Sequence, residues 1–123
     1  MRKVLRLFLL TTLLILSSCA SSRKSGDRTI VERGLASWYG KRFQGRPTAS
    51  GEPFDAAQMT AAHRTLPFGT MVEIRSVRSR KSVLVRINDR GPHLRSRIVD
   101  LSQAAAEELG MLSRGEETVE IFR

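Results

Sequence analysis

Val83, Val85 and Ile87 alternate with Leu84, Arg86 and Asn88, and this period of two is the feature that most narrows the possible folds. A strand sends successive side chains to opposite faces, so a segment of this kind buries one face of a sheet. Val72 and Ile74 alternate with Glu73 and Arg75 in the same way, as do Val119 and Ile121 with Glu120 and Phe122. From Gly34 onward Gly, Pro and Asn-Asp divide the chain into short pieces, the pattern of a β-rich domain of short strands. Arg78-Ser79-Arg80 reads as a hairpin turn, although it lacks the glycine such loops prefer. One segment has a helical period instead: Leu101, Ala104, Ala105, Glu108, Leu109 and Leu112. Gly110 falls where a left-handed C-cap ends a helix, so one short helix is expected over about residues 102–109. A single helix among strands most simply seals one end of a barrel, whose closure removes exposed edges.

The start of the chain follows different rules. Arg2, Lys3 and Arg6 precede an apolar run from Leu7 to Leu16, and Ser17-Ser18 is the small pair a signal peptidase accepts. That run is too short to span a bilayer. Leu16-Ser17-Ser18-Cys19 resembles a bacterial lipobox, which implies a signal peptide over residues 1–18 and a membrane anchor on lipidated Cys19. The alternative is an ordinary secretory signal followed by a free thiol or a small buried cysteine. Several acyl chains on one residue would anchor stably, where one chain binds only marginally. Ala20 stands where an inner-membrane retention aspartate would sit, which favours an outer-membrane lipoprotein facing the periplasm. Residues 20–28 are small, polar and without apolar periodicity, so 19–33 is expected to be a flexible linker and 34–123 one domain.

Lys and Arg total 21 against 12 Asp and Glu; without the three cations of the signal region, 18 remain and the balance is +6. That charge favours an anionic partner. Lipid headgroups and cell-wall polymers are nearer candidates than nucleic acid, which an exported lipoprotein seldom meets. A single cysteine leaves no intramolecular disulfide, so burial must stabilise a modest core, and a monomer is expected.

Asp89 ends the alternation of Val83, Val85 and Ile87 on their own parity, so it is expected where the buried face meets the strand end. A carboxylate losing hydration there would hold its proton more tightly. Against this, Asn88-Asp89-Arg90-Gly91-Pro92 is also a turn in which Asx side chains bond their own backbone and Arg90 neutralises Asp89. Glu52 and Asp55 sit three residues apart in the loop Thr48 to Asp55, and glycosidic-bond chemistry commonly uses carboxyl groups of divergent pKa. Asp55 before Ala56-Ala57-Gln58 is equally an N-cap. His63 closes a small-residue stretch, and a lone histidine is more often structural than catalytic. His63 and His93 lie thirty residues apart with no further ligand spacing, so no metal is expected, and no Gly-x-Ser-x-Gly is present. Trp38 and Tyr39, followed by Phe43, Phe54 and Phe68, suit either sugar stacking or the core.

Five blocks carry a resemblance: Gly34 to Gly40 (Gly-Leu-Ala-Ser-Trp-Tyr-Gly), Thr48 to Asp55, Thr60 to Thr70, Val85 to Pro92, and Ile98-Val99-Asp100-Leu101-Ser102. In this order, from about Gly34 to Phe122, they resemble the rare lipoprotein A family. The resemblance implies a six-stranded double-psi β-barrel, related to those of expansins and membrane-bound lytic transglycosylases. It further implies an endolytic lytic transglycosylase without a cofactor, which cuts between N-acetylmuramic acid and N-acetylglucosamine of peptidoglycan, with preference for glycan freed of stem peptides. Carried over by position, Asp89 is the acid and base, and Glu52 a second essential carboxylate. Asp55, His63, Trp38, Tyr39, Asn88, Arg90 and Asp100 would line the groove or hold substrate. Asp100 is also a plain N-cap for the helix, reinforced by Gln103. The family's C-terminal glycan-binding repeat is not expected after the barrel, and His93-Leu94-Arg95-Ser96-Arg97 is more basic than the family's loop. The alternative function is an expansin-like lipoprotein that binds glycan without cutting it.

Overall fold

A computed structural model describes residues 28–123. The signal peptide expected over residues 1–18 and Cys19 lie outside the described residues.

Six strands and one helix follow one another: β1 Ile30–Trp38, β2 Thr60–His63, β3 Met71–Ser76, β4 Ser82–Asp89, β5 Arg97–Leu101, α1 Gln103–Leu109 and β6 Glu116–Phe122. The strands close into a barrel in the order β1-β5-β2-β4-β3-β6. β1 with β5 and β2 with β4 run parallel, and the remaining pairs are antiparallel. Closure leaves no free edge to enter edge-to-edge pairing with another chain. The first strand begins at Ile30 rather than at 34, because Ile30 to Ser37 pair with β6 along almost the whole strand.

The period-two segments form strands as expected. Val83, Val85 and Ile87 are buried along β4, and Val119 and Ile121 along β6, while Leu84 is exposed. They meet Val72, Ile74, Val99, Leu101, Leu109 and Met111 in one core. Each such side chain contributes about 1.5–3 kcal/mol on leaving water. Gly34 lets β1 approach β5: a Cβ there would stand 2.8 Å from Ile98 Cγ2.

The hairpin between β3 and β4 turns without glycine because Arg80 itself takes the left-handed conformation, at φ 64°. Ser76 Oγ supports the turn by accepting from the Ser79 amide at 3.1 Å. The helix differs from expectation at its start. Leu101 belongs to β5, and the N-cap is Ser102, whose Oγ accepts from Ala105 N at 3.2 Å, so neither Asp100 nor Gln103 caps it. Its buried face is Ala105, Ala106 and Leu109, with Glu108 exposed, and Gly110 closes it at φ 76°. No helix among the described residues is long and apolar enough to cross a membrane.

Candidate functional site

The register of four strands builds the site. Ala62 in β2 lies opposite Asp89 of β4 on one side and Asp100 of β5 on the other, and Asp100 lies opposite Ser37 of β1. Partners in register share a face, so Ser37, Asp100, Ala62 and Asp89 form one row across the sheet. Two strand spacings separate the carboxylate residues, about 10 Å between backbones. The small side chain of Ala62 leaves the space between them open.

Over this row folds the segment joining β1 to β2. Phe54 N donates to Arg46 O and Gly45 N to Phe54 O, both at 2.8 Å, which draws the segment into a narrow loop with Gly51 at its tip at φ 91°. Tyr39 packs on buried Phe54 with ring centres 4.5 Å apart and meets Phe43 edge-on at 5.9 Å. The result is a cleft of about 200 Å³ lined by Tyr39, Phe43, Phe54, Ala62, Asp89 and Asp100, with Arg46, Arg90 and His93 at its sides.

Asp89 is fixed through one oxygen. Its Oδ1 accepts from Ala49 N at 2.9 Å and from Arg90 N at 2.8 Å, while Oδ2 has no hydrogen-bond partner among the described residues. Asp100 accepts from the Ser37 hydroxyl. Neither forms an ion pair with a described residue. Arg90 does not neutralise Asp89, because its guanidinium donates to Leu66 O at 2.8 Å and His63 O at 3.3 Å and stacks 4.0 Å above Phe68. The Tyr39 hydroxyl is buried without a hydrogen-bond partner. Burial first, then the negative charges of Asp89 and Asp100, push its pKa far above the usual tyrosine value, so it stays a protonated donor.

The other sequence candidates fall elsewhere. Glu52 pairs with Arg86 through both carboxyl oxygens, at 2.5 and 3.3 Å, outside the residues lining the cleft. The hydrogen bond from Arg86, helped by the Asn88 side chain, holds its carboxyl below the usual glutamate range, so Glu52 is a fixed anion. His63 is buried and does not line the cleft. Its Nδ1 accepts from Thr65 N and Leu66 N, each at 3.1 Å, so Nε2 carries the proton and donates to Glu32 at 2.9 Å. Asp55 caps no helix: it accepts from Ala57 N at 3.0 Å in a tight turn and borders a separate depression of about 600 Å³ beside α1. Trp38 packs against the core, and Asn88 is buried with Oδ1 unpartnered. Sequence reasoning names neither Ser37 nor Arg46 as a site residue, and takes His93 only as an unmatched metal ligand and part of a basic loop. Only the shared parity of Ser37 with its register partner points to it, and that register is visible only in the fold.

Among the described residues no group of three or more His, Cys, Asp or Glu side chains is placed to hold a metal ion. A family model described as a lytic transglycolase matches residues 31–121. The chain belongs to that family. Its relatives include the probable endolytic peptidoglycan transglycosylase RlpA of Treponema pallidum, 55% identical over 99 residues, covering 80% of this chain and 31% of the relative. The endolytic peptidoglycan transglycosylase RlpA of Haemophilus influenzae is 47% identical over 94 residues, covering 75% and 33%. The chain therefore spans about a third of the length of these curated relatives. Among solved structures, the Streptomyces papain inhibitor superposes with TM-score 0.59 at 26% identity, covering 78% of this chain and 98% of its own. An expansin of Clavibacter michiganensis superposes at 0.57 with 22% identity, covering 72% and 48%, a likeness of fold alone. The family match and these neighbours identify the closed barrel as the double-psi type read from the five motif blocks.

Proposed function

We propose that the domain is an endolytic lytic transglycosylase acting on the bond between N-acetylmuramic acid and N-acetylglucosamine in peptidoglycan. The observation that carries this is the pair Asp89 and Asp100, two carboxylates on either side of Ala62 that form no ion pair with a described residue, beneath an aromatic wall. Membership of a lytic transglycolase family and the names of the relatives support the same reaction.

Asp89 in its acid form gives its proton to the glycosidic oxygen, and the bond from that oxygen to C1 of the muramic acid breaks. The carboxylate so formed takes the proton of the muramic acid's own 6-hydroxyl, whose oxygen closes onto C1 as a 1,6-anhydro ring. No water is consumed, and the proton lost by Asp89 is restored. Asp100, set by Ser37, offers fixed negative charge as C1 becomes oxocarbenium-like, and the ring of Tyr39 supplies an apolar surface beside the sugar. Lipidation at Cys19 would keep the domain on the periplasmic side of the outer membrane as a monomer, near strands already freed of peptide.

Mass spectrometry of soluble products decides the reading, with mature protein incubated on intact and on amidase-treated peptidoglycan beside an Asp89→Asn control. Anhydromuramyl products are expected from the wild type and absent from the variant. Reducing-end products would replace the proposal with a hydrolase. Absence of product from a protein that still pellets on sacculi would replace it with glycan binding of the expansin kind.

A further inference from the structure

The wall of the barrel farthest from the cleft is basic on its outer face. In the closed order of strands β6 stands three places from β2 in either direction, so β1, β6 and β3 lie across the barrel from Ala62 and the carboxylate row. Arg33 of β1 and Arg75 of β3 both lie opposite Glu120 of β6, and since Val119 and Ile121 turn into the core, these three share the outward face. Glutamates are outnumbered there. Glu73 takes both Arg28 and Arg75, Glu117 takes Arg78, and Glu120 takes Arg80. Arg33 and Arg114 are exposed and form no ion pair with a described residue. With Arg78, Leu35 and Val77 they line a depression of about 590 Å³, at whose edge Glu116 is held by Arg97.

The chain enters the barrel at this same wall. Thr29 and Arg123 exchange backbone hydrogen bonds at 3.2 and 3.3 Å, and Ile30 and Val31 follow, 51% and 41% exposed. Cys19 stands eleven residues before Ile30, a reach of at most about 40 Å. We propose that the outer face of β1, β6 and β3 docks on the anionic phospholipid headgroups of the membrane that holds lipidated Cys19, and that this contact turns the cleft away from the bilayer. The proposal uses the anchor read at Cys19 and is independent of the reaction in the cleft. Guanidinium groups fork onto phosphate oxygens through two N–H donors, and Ile30 and Val31 beside them suit the apolar edge of the headgroup layer. A tether of this length keeps the wall at high effective concentration beside the bilayer, so contacts too weak to hold a free protein suffice to orient this one.

The test is sedimentation with vesicles of phosphatidylcholine, with and without phosphatidylglycerol, using the chain from residue 19 with Cys19→Ser so that no acyl chain contributes. This protein is expected to bind only the anionic vesicles and to leave them at high salt. Adding Arg33→Gln should lower the partition about fivefold, and Arg33→Gln with Arg114→Gln about thirtyfold, the effect of one and of two arginines at an anionic surface. Thermal midpoints should not change, since neither arginine holds a described ion partner. In a background of Arg23→Gln with Lys24→Gln the wall pair should have the same effect, which separates the barrel from the segment before it. Orientation is read from a fluorophore on a single cysteine, at Thr118→Cys on the wall or Ala49→Cys on the loop over the cleft, both exposed positions. Spin-labelled headgroups should quench the first and spare the second. No binding, equal binding to both vesicles, or a double variant that binds as before overturns the docking surface, and equal quenching at the two positions overturns the orientation. A double variant that loses sacculi but keeps vesicles reassigns the wall to a cell-wall polymer. The mass of the native chain reports lipid on Cys19 separately, so failure of the anchor and failure of the docking surface are distinct results.

Discussion

On the side of the barrel formed by β3 and β6, Glu73, Glu116, Glu117 and Glu120 each meet an arginine, whereas the cleft leaves Asp89 and Asp100 with none. The paired carboxylates include deeply placed ones, since the side chains of Glu73 and Glu117 are 9% and 3% exposed. A charge so far from water is tolerated only with its counter-ion beside it. The arginines nearest the cleft form no ion pair with these two carboxylates: Arg86 holds Glu52, Arg90 and Arg64 donate to carbonyl oxygens, and Arg46 lies over Phe43. Carboxylates paired with arginines and carboxylates left unpaired divide along the molecule, and a substitution on each side shows whether the proposed division between stability and chemistry holds.

The largest effect is expected at the cleft. Asp89→Asn keeps an oxygen to accept from Ala49 N and Arg90 N, so the loop stays in place, but it has no acid to give. Product formation should fall about a thousandfold. Thermal unfolding of the same variant should show an equal midpoint, because both backbone hydrogen bonds to the side chain are kept and no ion pair is lost. A loss of stability at Asp89 as large as at a paired site would break the comparison.

Arg78→Ala should do the reverse. It strands Glu117 Oε1, which now accepts from Arg78 Nε at 2.8 Å, beside an Oε2 that already lacks a partner. The cost is about 2 kcal/mol, moderated because Arg78 is itself half exposed. Urea denaturation measures it, and turnover at a temperature where both proteins are folded should be unchanged.

Tyr39 sharpens the contrast through pH. Its hydroxyl titrates higher in the folded protein than the ordinary value of 10.0, through burial and then the charges of Asp89 and Asp100. The unfolded chain therefore releases this proton first as pH rises, and the stabilisation is full below that value and lost above it. One unit above it, wild type should have lost about 1 kcal/mol through this group. Tyr39→Phe lacks that alkaline loss, and denaturant titrations one unit either side of the tyrosine value would reveal it. An identical alkaline limb in both proteins would mean that neither burial nor the two carboxylates hold the proton on this hydroxyl.

The legible strands were those with one buried face. β3, β4 and β6 show an apolar stripe in alternation, and Asp89 could be placed because that alternation stops at it. β2 is buried on both faces from Thr60 to His63, and β5 buries Ile98 and Val99 in succession, so neither carries a period of two. Those two strands bring Ala62 and Asp100 to the site. The row from Ser37 to Asp89 depends on parallel pairings between distant segments, which no local period encodes. The motif resemblance supplied the barrel and its six strands, yet it could not say which carboxylates share a cleft. Glu52 and His63 stand in the same motif blocks as cleft residues, and their contacts with Arg86 and Glu32 depend on segments distant in sequence.

The smallest effect concerns the paired side and asks whether its ion pairs at the surface matter at all. Arg80 has a left-handed backbone at φ 64° and reaches Glu120 at 3.7 Å with its side chain 64% exposed. A non-glycine residue in that conformation costs about 1–2 kcal/mol, and glycine gives back part of the gain as unfolded-state entropy. An exposed ion pair is worth about 0–1 kcal/mol. Arg80→Gly should therefore come out stabilising by about 0.5 kcal/mol, because relief of the backbone exceeds loss of the pair. Arg80→Asn, which tolerates the same backbone without the charge, should be neutral to slightly stabilising. If both variants instead lose stability, and lose it less in high salt, the arginine at the turn belongs with Arg78 as a working counter-ion. The matched side would then extend from the buried glutamates out to the surface of the hairpin.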